Sequence, residues 1–200
     1  MKSLVSLLTE VSADLQLLGV RWALIGGLAI GARVEPRFTR DVDLAVDVTN
    51  DAEAEKIIHS LHAKGYQISA VLEQAKTGRL ATVRLRPATD DRLVDLLFAS
   101  CGIESQVVGF ADNLELEDGV FAPVATVGHL IAMKLLARND ESRPQDRLDL
   151  LSLLKAAQPA DIKMAKLALN GITEAGFDRG RKLELEFKKF IEDSGLEVHE

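Results

Sequence analysis

Two aspartates in a strictly alternating segment have a spacing that could support metal chemistry. Residues 41–48 read Asp-Val-Asp-Leu-Ala-Val-Asp-Val, which predicts a strand with one apolar face. Asp41 and Asp43 leave the other face about 6–7 Å apart at their Cα atoms, where like charges repel. Oxygen ligands that converge on a hard divalent cation remove this repulsion. The alternative is an edge strand with a solvated acidic face, to which Asp47 would also belong.

A glycine pair precedes this segment. Gly26-Gly27 follows the apolar run Val20–Ile25, which predicts a buried strand, and a short helix is predicted from Leu28 to about Val34. Glycines allow a ligand to approach the backbone closely, and the N-terminus of a helix offers free N–H groups to an anion. The pair therefore suggests an anion site, with a tight turn as the ordinary alternative.

A third aspartate, Asp95, lies inside the apolar strand predicted over 93–98. An unpaired charge in such a strand is costly, so Asp95 requires a metal or an ion pair. If this strand lies beside residues 41–48, three carboxylates meet on one face of the sheet. Pairing with Arg84 or Arg92 is the alternative.

Basic and acidic residues follow on two predicted helices. Lys134 and Arg138 lie one turn apart on the first, so that two basic groups share one surface. From the helix alone, the lysine tip is expected to reach solvent and the arginine to complement the helix C-terminus. Asp146 and Asp149 lie on the polar face of the second helix. Asp146 would fix Arg138 or Lys134, act as a base, or only complement the helix dipole.

These motifs together resemble the AbiEii/AbiGii-type nucleotidyltransferases of the polymerase-β-like superfamily, many of which are toxins of toxin–antitoxin pairs. The segments that carry the resemblance are Leu24–Ala29, Arg37–Asp43, Lys134–Arg138 and Arg143–Leu150. One departure concerns the glycines, because many superfamily members have Gly-Ser where this chain has Gly26-Gly27. The contact of a serine hydroxyl with phosphate is therefore absent here.

The resemblance implies a metal-dependent enzyme that moves a nucleoside monophosphate from a nucleoside triphosphate to a hydroxyl of an RNA (tRNA-like) or a protein, releasing pyrophosphate. It assigns two Mg²⁺ or Mn²⁺ ions to Asp41, Asp43 and Asp95. The residues that it places along the triphosphate are Gly26, Gly27, Thr39, Arg40, Lys134 and Arg138. Its catalytic set is Asp41, Asp43, Asp95, Lys134 and Asp146. A cognate antitoxin is an implied partner. The alternatives are an antibiotic nucleotidyltransferase and a non-catalytic nucleotide- or partner-binding protein of the same fold.

The elements that must position these residues form an α+β fold, predicted as a nucleotidyltransferase mixed sheet flanked by helices. Residues 1–125 form its core, and residues 126–200 form a helical unit packed on it. The core begins with an amphipathic helix from Leu4 to Leu18, and Asn50 caps a helix to about Lys64. Further strands are predicted at 66–72, 80–86 and 93–98, with one or two short strands within 107–124. Helices are predicted at 126–138, 143–157, 159–169 and 178–192, with a break at Gly171.

Composition excludes several classes of protein. Only one of the 200 residues is cysteine, Cys101, which rules out an internal disulfide framework and a multi-cysteine zinc site. No apolar stretch approaches the roughly 20 residues of a membrane span, so we expect a cytoplasmic protein without a membrane partner. The net charge of −7 argues against a general nucleic-acid coat. The arginines between Arg79 and Arg147 remain compatible with an RNA acceptor at a local cleft.

Overall fold

The computed structural model describes residues 3–88, 91–117, 119–140 and 143–196. Within these ranges the chain forms eight helices and seven strands. The helices are α1 (Leu4–Leu17), α2 (Gly26–Arg33), α3 (Asp51–Ala63), α4 (Glu104–Gly109), α5 (Val127–Ala137), α6 (Pro144–Ala156), α7 (Pro159–Glu174) and α8 (Leu183–Ser194). The strands are β1 (Trp22–Ile25), β2 (Val42–Val46), β3 (Gln67–Glu73), β4 (Leu80–Arg86), β5 (Val94–Leu97), β6 (Asp112–Glu117) and β7 (Val120–Val124).

The strands form one mixed sheet in the order β3-β4-β5-β2-β1-β7-β6. β2 pairs in parallel with β5 and antiparallel with β1, so it lies at the centre of the sheet. The alternative of an edge strand is therefore wrong, because β2 is paired on both sides. Its alternating valine and leucine side chains are fully buried. The predicted α+β fold with a mixed sheet flanked by helices is confirmed.

The helices after Ala125 pack together and against the sheet. α5 contacts α6 and α7, and it also contacts α2 at the end of β1. One continuous cluster of buried apolar side chains includes Leu24 of β1, Leu135 of α5 and Phe187 of α8. This shared core joins the sheet and the helical part, while the boundary near residue 125 stays a prediction. No helix in the described ranges is long and apolar enough to cross a membrane.

Several boundaries differ from the predictions: α2, for example, begins at Gly26 and not at Leu28. Three further differences have local physical reasons. Residues 104–109 form α4, so only the later part of 107–124 is strand. α7 continues through Gly171 because a Cβ there would lie 3.3 Å from Ile103 Cγ2; the glycine allows close packing instead of ending the helix. α8 begins at Leu183, not at residue 178, since Arg179 and Gly180 adopt left-handed backbone conformations.

Candidate active site

The residues of the candidate site form a row across four neighbouring strands. Asp43 on β2 is opposite Asp95 on β5 in the parallel register, and opposite Ile25 on β1 in the antiparallel register. Arg84 on β4 is opposite Asp95 on its other side. Because directly opposed residues point to the same face of a sheet, Asp43, Asp95 and Arg84 converge on one surface. Gly26, which follows Ile25 at the start of α2, lies against Asp43. The predicted meeting of the aspartate strands is therefore observed.

Gly26 is required by the position of Asp43. Its φ of +65° lies in the left-handed region, and a Cβ there would lie 2.0 Å from Asp43 Oδ2. Both observations exclude a side chain at this position without movement of the carboxylate. Gly26 thus allows the Asp43 side chain to lie directly on the backbone at the start of α2.

Gly26→Ala is expected to lower the free energy of unfolding by about 1–3 kcal/mol, because it combines left-handed strain with overlap on Asp43. Gly31→Ala in the same helix is the matched control. The nearest atoms to its Cβ are 3.7 Å away, so it is expected to stabilise by about 0.4–1 kcal/mol. Urea unfolding followed by the fluorescence of Trp22, the one tryptophan, measures both. Equal effects of the two substitutions would contradict this role of Gly26.

Asp95 is paired with Arg84. The guanidinium donates from Nε to Oδ1 at 2.8 Å and from Nη2 to Oδ2 at 2.7 Å. Asp95 is 8% exposed, so this forked pair provides the partner that a buried carboxylate needs. Of the two arginines considered from the sequence, Arg84 is the one placed opposite Asp95 by the strand register.

Asp43 has a different electrostatic environment. In the described part of the chain, no hydrogen bond or ion pair reaches its carboxylate. Burial and the nearby charge of Asp95 raise its pKa from 3.8 to about 6, and Lys134 opposes this rise. Burial likewise raises the pKa of Asp41, which immediately precedes β2, with Arg84 acting in the opposite direction. The charge of Asp43 is therefore only partly offset by the nearby Lys134 and Arg84.

Lys134 lies between two buried carboxylates of α6. Its Nζ atom donates to Asp146 Oδ1 at 2.8 Å and lies 2.9 Å from Asp149 Oδ2. The exposed fraction of the lysine side chain is 14%, so the alternative in which its tip reaches solvent is wrong. Asp146 and Asp149 are each 2% exposed, which corrects the predicted polar face. Asp146 thus contacts Lys134, one of the two basic residues that it was expected to fix.

Arg37 extends this network to the loop before β2. It lies 3.0 Å from Asp149 and, together with Thr39, fills the space beside Gly27. A Cβ on Gly27 would lie 2.5 Å from Arg37 Nη2 and 2.8 Å from Thr39 Oγ1. Gly27 therefore allows the 34–41 loop to pack on α2, which fixes the position of the aspartate strand that follows.

The structure brings together some of the sequence-predicted residues and separates others. A cavity of about 310 Å³ beside the row of strands is lined by Gly26, Asp43, Asp95 and Lys134, and by Arg84, Arg143 and Arg179. The predicted residues that are not among its lining are Gly27, Thr39, Arg40, Asp41, Arg138 and Asp146. Arg40 lies over the Phe38 ring at 5.7 Å. Arg138 is paired with Asp140 at 2.9 Å and lies over the Phe190 ring at 4.9 Å.

The donor set of this cavity fits a hard divalent cation in its chemistry. Asp43 and Asp95 in its lining, and Asp41 next to them, supply oxygen ligands, and Asp43 is a half-buried carboxylate without a hydrogen-bonded cation in the described ranges. Their present side-chain positions, however, do not form a ready three-ligand group: no cluster of three or more His, Cys, Asp or Glu in the described ranges is arranged to hold a metal. Arg84 occupies both oxygens of Asp95, so a bound cation would have to share or replace that pairing.

Solved nucleotidyltransferase structures share this fold. A nucleotidyltransferase-like antigenic protein from Paracoccidioides brasiliensis is 17% identical, with a TM-score of 0.53 over 92% of this chain and 91% of that chain. ANT(2")-Ia in complex with adenylyl-2"-tobramycin is 18% identical, with a TM-score of 0.50 over 94% and 97% of the two chains. At these identities the similarity shows the fold alone. No curated protein sequence matches the chain significantly.

The mixed sheet thus has the polymerase-β-like fold of these solved nucleotidyltransferases. The family model described as nucleotidyl transferase AbiEii toxin, type IV TA system, matches residues 7–197. The chain belongs to this family and is a transferase, as the sequence motifs predicted.

Proposed function

We propose that the protein transfers a nucleoside monophosphate from a nucleoside triphosphate to an acceptor hydroxyl. The observation that carries this proposal is the convergence of Asp43 and Asp95 on adjacent strands with Gly26 at the start of α2, beside Lys134, in a chain of the AbiEii family. The acceptor oxygen forms a new bond to the α-phosphorus, the bond from that phosphorus to the β-phosphate oxygen breaks, and pyrophosphate leaves. The acceptor proton passes to a carboxylate of the site or to solvent.

In this proposal Asp41, Asp43 and Asp95 would hold Mg²⁺ or Mn²⁺. When bound, the ions neutralise the charge that develops during in-line displacement. Gly26 leaves room for the Asp43 carboxylate beside the backbone at the start of α2, so that this carboxylate can face the triphosphate and its metal ion. Lys134 lines the same cavity, and Asp146 and Asp149 hold its ammonium in position. Asp146 therefore acts as a positioning residue.

The family description supports a toxin with a cognate antitoxin. For its acceptor we propose RNA or protein. A small-molecule acceptor is the second candidate, because ANT(2")-Ia was solved with an adenylylated antibiotic and has the same fold. The two candidates differ in the molecule that becomes labelled.

Each α-labelled triphosphate, incubated with Mg²⁺ or Mn²⁺ and with total RNA, cell lysate or antibiotics, tests the proposal. Label is expected in one acceptor class, and none is expected in EDTA. Asp43→Asn is expected to reduce transfer at least a hundredfold, the range seen for loss of a group that stabilises transition-state charge. Asp47→Asn is the control, since Asp47 is paired with Arg21 outside the cavity. Absence of label with every triphosphate and acceptor would contradict the proposal.

A further inference from the structure

A second cavity of about 760 Å³ adjoins the candidate active site. It lies between the β3–β4 hairpin and the 175–182 loop, which joins α7 to α8. The two cavities share four lining residues, namely Leu72, Thr82, Ser100 and Arg179. A molecule in the second cavity would therefore extend directly to the row of aspartates.

The 175–182 loop is fixed against the sheet and α5. Phe177 packs so closely on Gly102 that a Cβ there would lie 2.6 Å from the ring. Arg181 donates to the carbonyl oxygen of Leu136 at 2.8 Å. These contacts hold Arg179, whose φ of +57° is the only positive value of a non-glycine residue in the described ranges. Such a backbone is costly for a side chain, and residues held in it concentrate at functional sites.

Two cations in the second cavity have no anionic partner in the described part of the chain. Neither the Arg179 guanidinium nor the Lys76 ammonium forms an ion pair or hydrogen bond there, and both line the cavity. Partial burial and the nearby Arg181 lower the pKa of Arg179, as expected for a cation that lacks a counter-ion.

The acidic residues of the lining, Glu73 and Asp178, do not neutralise these cations. Asp178 Oδ1 accepts a hydrogen bond from the Gly180 N–H at 3.0 Å, so it stabilises the loop itself. Leu72 is 60% exposed beside them and supplies an apolar surface. Unpaired cations suit the phosphates of a nucleotide, and the exposed apolar surface of Leu72 can pack against a base.

We propose that the second cavity is the acceptor site and takes a single-stranded segment of RNA, with Arg179 and Lys76 binding its phosphates. The proposal rests on the proposed nucleotidyl transfer and identifies where its acceptor lies. Arg179, which lines both cavities, would bind the phosphate nearest to the reacting hydroxyl.

Binding of a fluorescent, mixed-sequence oligoribonucleotide, measured by anisotropy over a range of salt concentrations, tests the acceptor site. Arg179→Gly removes the guanidinium and tolerates the positive φ, and Lys76→Ala removes the ammonium. Each is expected to weaken RNA binding about tenfold and to reduce the salt dependence by about one counter-ion. Arg179→Lys is expected to restore part of the affinity. Lys188→Ala, which removes an exposed charge on α8, should leave RNA binding unchanged.

A fluorescent triphosphate titrated with Mg²⁺ separates this proposal from the proposed function. Parent and Lys76→Ala proteins are expected to bind it equally, and melting curves check that each variant is folded. RNA affinity and salt dependence that are the same in all variants would overturn the acceptor site while leaving nucleotidyl transfer intact. Specific labelling of a protein or an antibiotic, with RNA unlabelled, would also overturn it. A parent that neither binds nor transfers any triphosphate would overturn both.

Discussion

Lys134→Ala is expected to lower the free energy of unfolding by about 3–5 kcal/mol, because it leaves two buried carboxylates short of a cation. Asp146 and Asp149 have side chains that are 3% and 1% exposed, and the lysine Nζ atom is within 3.0 Å of both. Arg37 still contacts Asp149 in the variant, whereas the cation that Asp146 keeps within the described ranges is the more distant Arg143, at 3.3 Å. Urea unfolding followed by circular dichroism measures the change.

Two controls separate this effect from a general loss of charge. Lys188→Ala removes a lysine whose side chain is 75% exposed, so its effect is expected within about 0.5 kcal/mol. Adding Asp146→Asn to Lys134→Ala is expected to recover part of the lost stability, since one unpaired charge is removed. If Lys134→Ala lowers the free energy of unfolding by less than about 1 kcal/mol, the ammonium is solvated. That result would contradict its pairing with the two buried carboxylates.

Asp43→Asn is expected to stabilise the metal-free protein at neutral pH by on the order of 3 kcal/mol. The pKa of Asp43 is raised from 3.8 to about 6, and each pKa unit corresponds to about 1.4 kcal/mol. Because the folded-state pKa is the higher one, the folded protein binds more protons than the unfolded chain between these values. The free energy of unfolding therefore falls as pH rises from about 4 to about 6. Asparagine at position 43 removes that loss because its side chain does not titrate.

The control for this prediction is Asp47→Asn. Asp47 follows the same strand, but it is paired with Arg21 and accepts a hydrogen bond from Ser105 at 2.5 Å. Replacing it removes favourable contacts, so no stabilisation is expected. Stability curves of the parent and the Asp43→Asn variant, measured in EDTA from pH 4 to pH 8, test the prediction. A constant difference between them across this range would show that the carboxylate is not perturbed in the folded state.

Local sequence patterns predicted much of the sheet. β4 occupies residues 80–86 as predicted, because alternating apolar residues bounded by turn residues specify a strand locally. The pairing of Asp43 with Asp95 was only conditional from the sequence, since strand adjacency depends on contacts between distant segments. From the sequence, Asp41 was expected to be the main source of repulsion on Asp43. In the structure, the charge of Asp95 raises the pKa of Asp43 more than that of Asp41 does.

The burial of Asp146 and Asp149 is indicated by a sequence pattern that was not recognised in the sequence analysis. Asp146 and Asp149 continue the helical spacing of the buried Leu150 and Leu153, at i, i+3, i+4 and i+7. Carboxylates on the apolar face of a helix require a cation from elsewhere, which is Lys134. No comparable pattern identifies Arg179, because its left-handed backbone and its place between two cavities arise from tertiary contacts of the 175–182 loop.

Asp41, Asp43 and Asp95 are proposed to form the cation site at which the triphosphate binds. Thermal melting of the parent and of Asp43→Asn, each in EDTA and in millimolar Mg²⁺ with a nucleoside triphosphate, tests it most directly. In EDTA the variant is expected to melt at the higher temperature. Metal and triphosphate are expected to raise the melting temperature of the parent by mass action and that of the variant much less. Melting curves that coincide and do not respond to metal or triphosphate would contradict the claim.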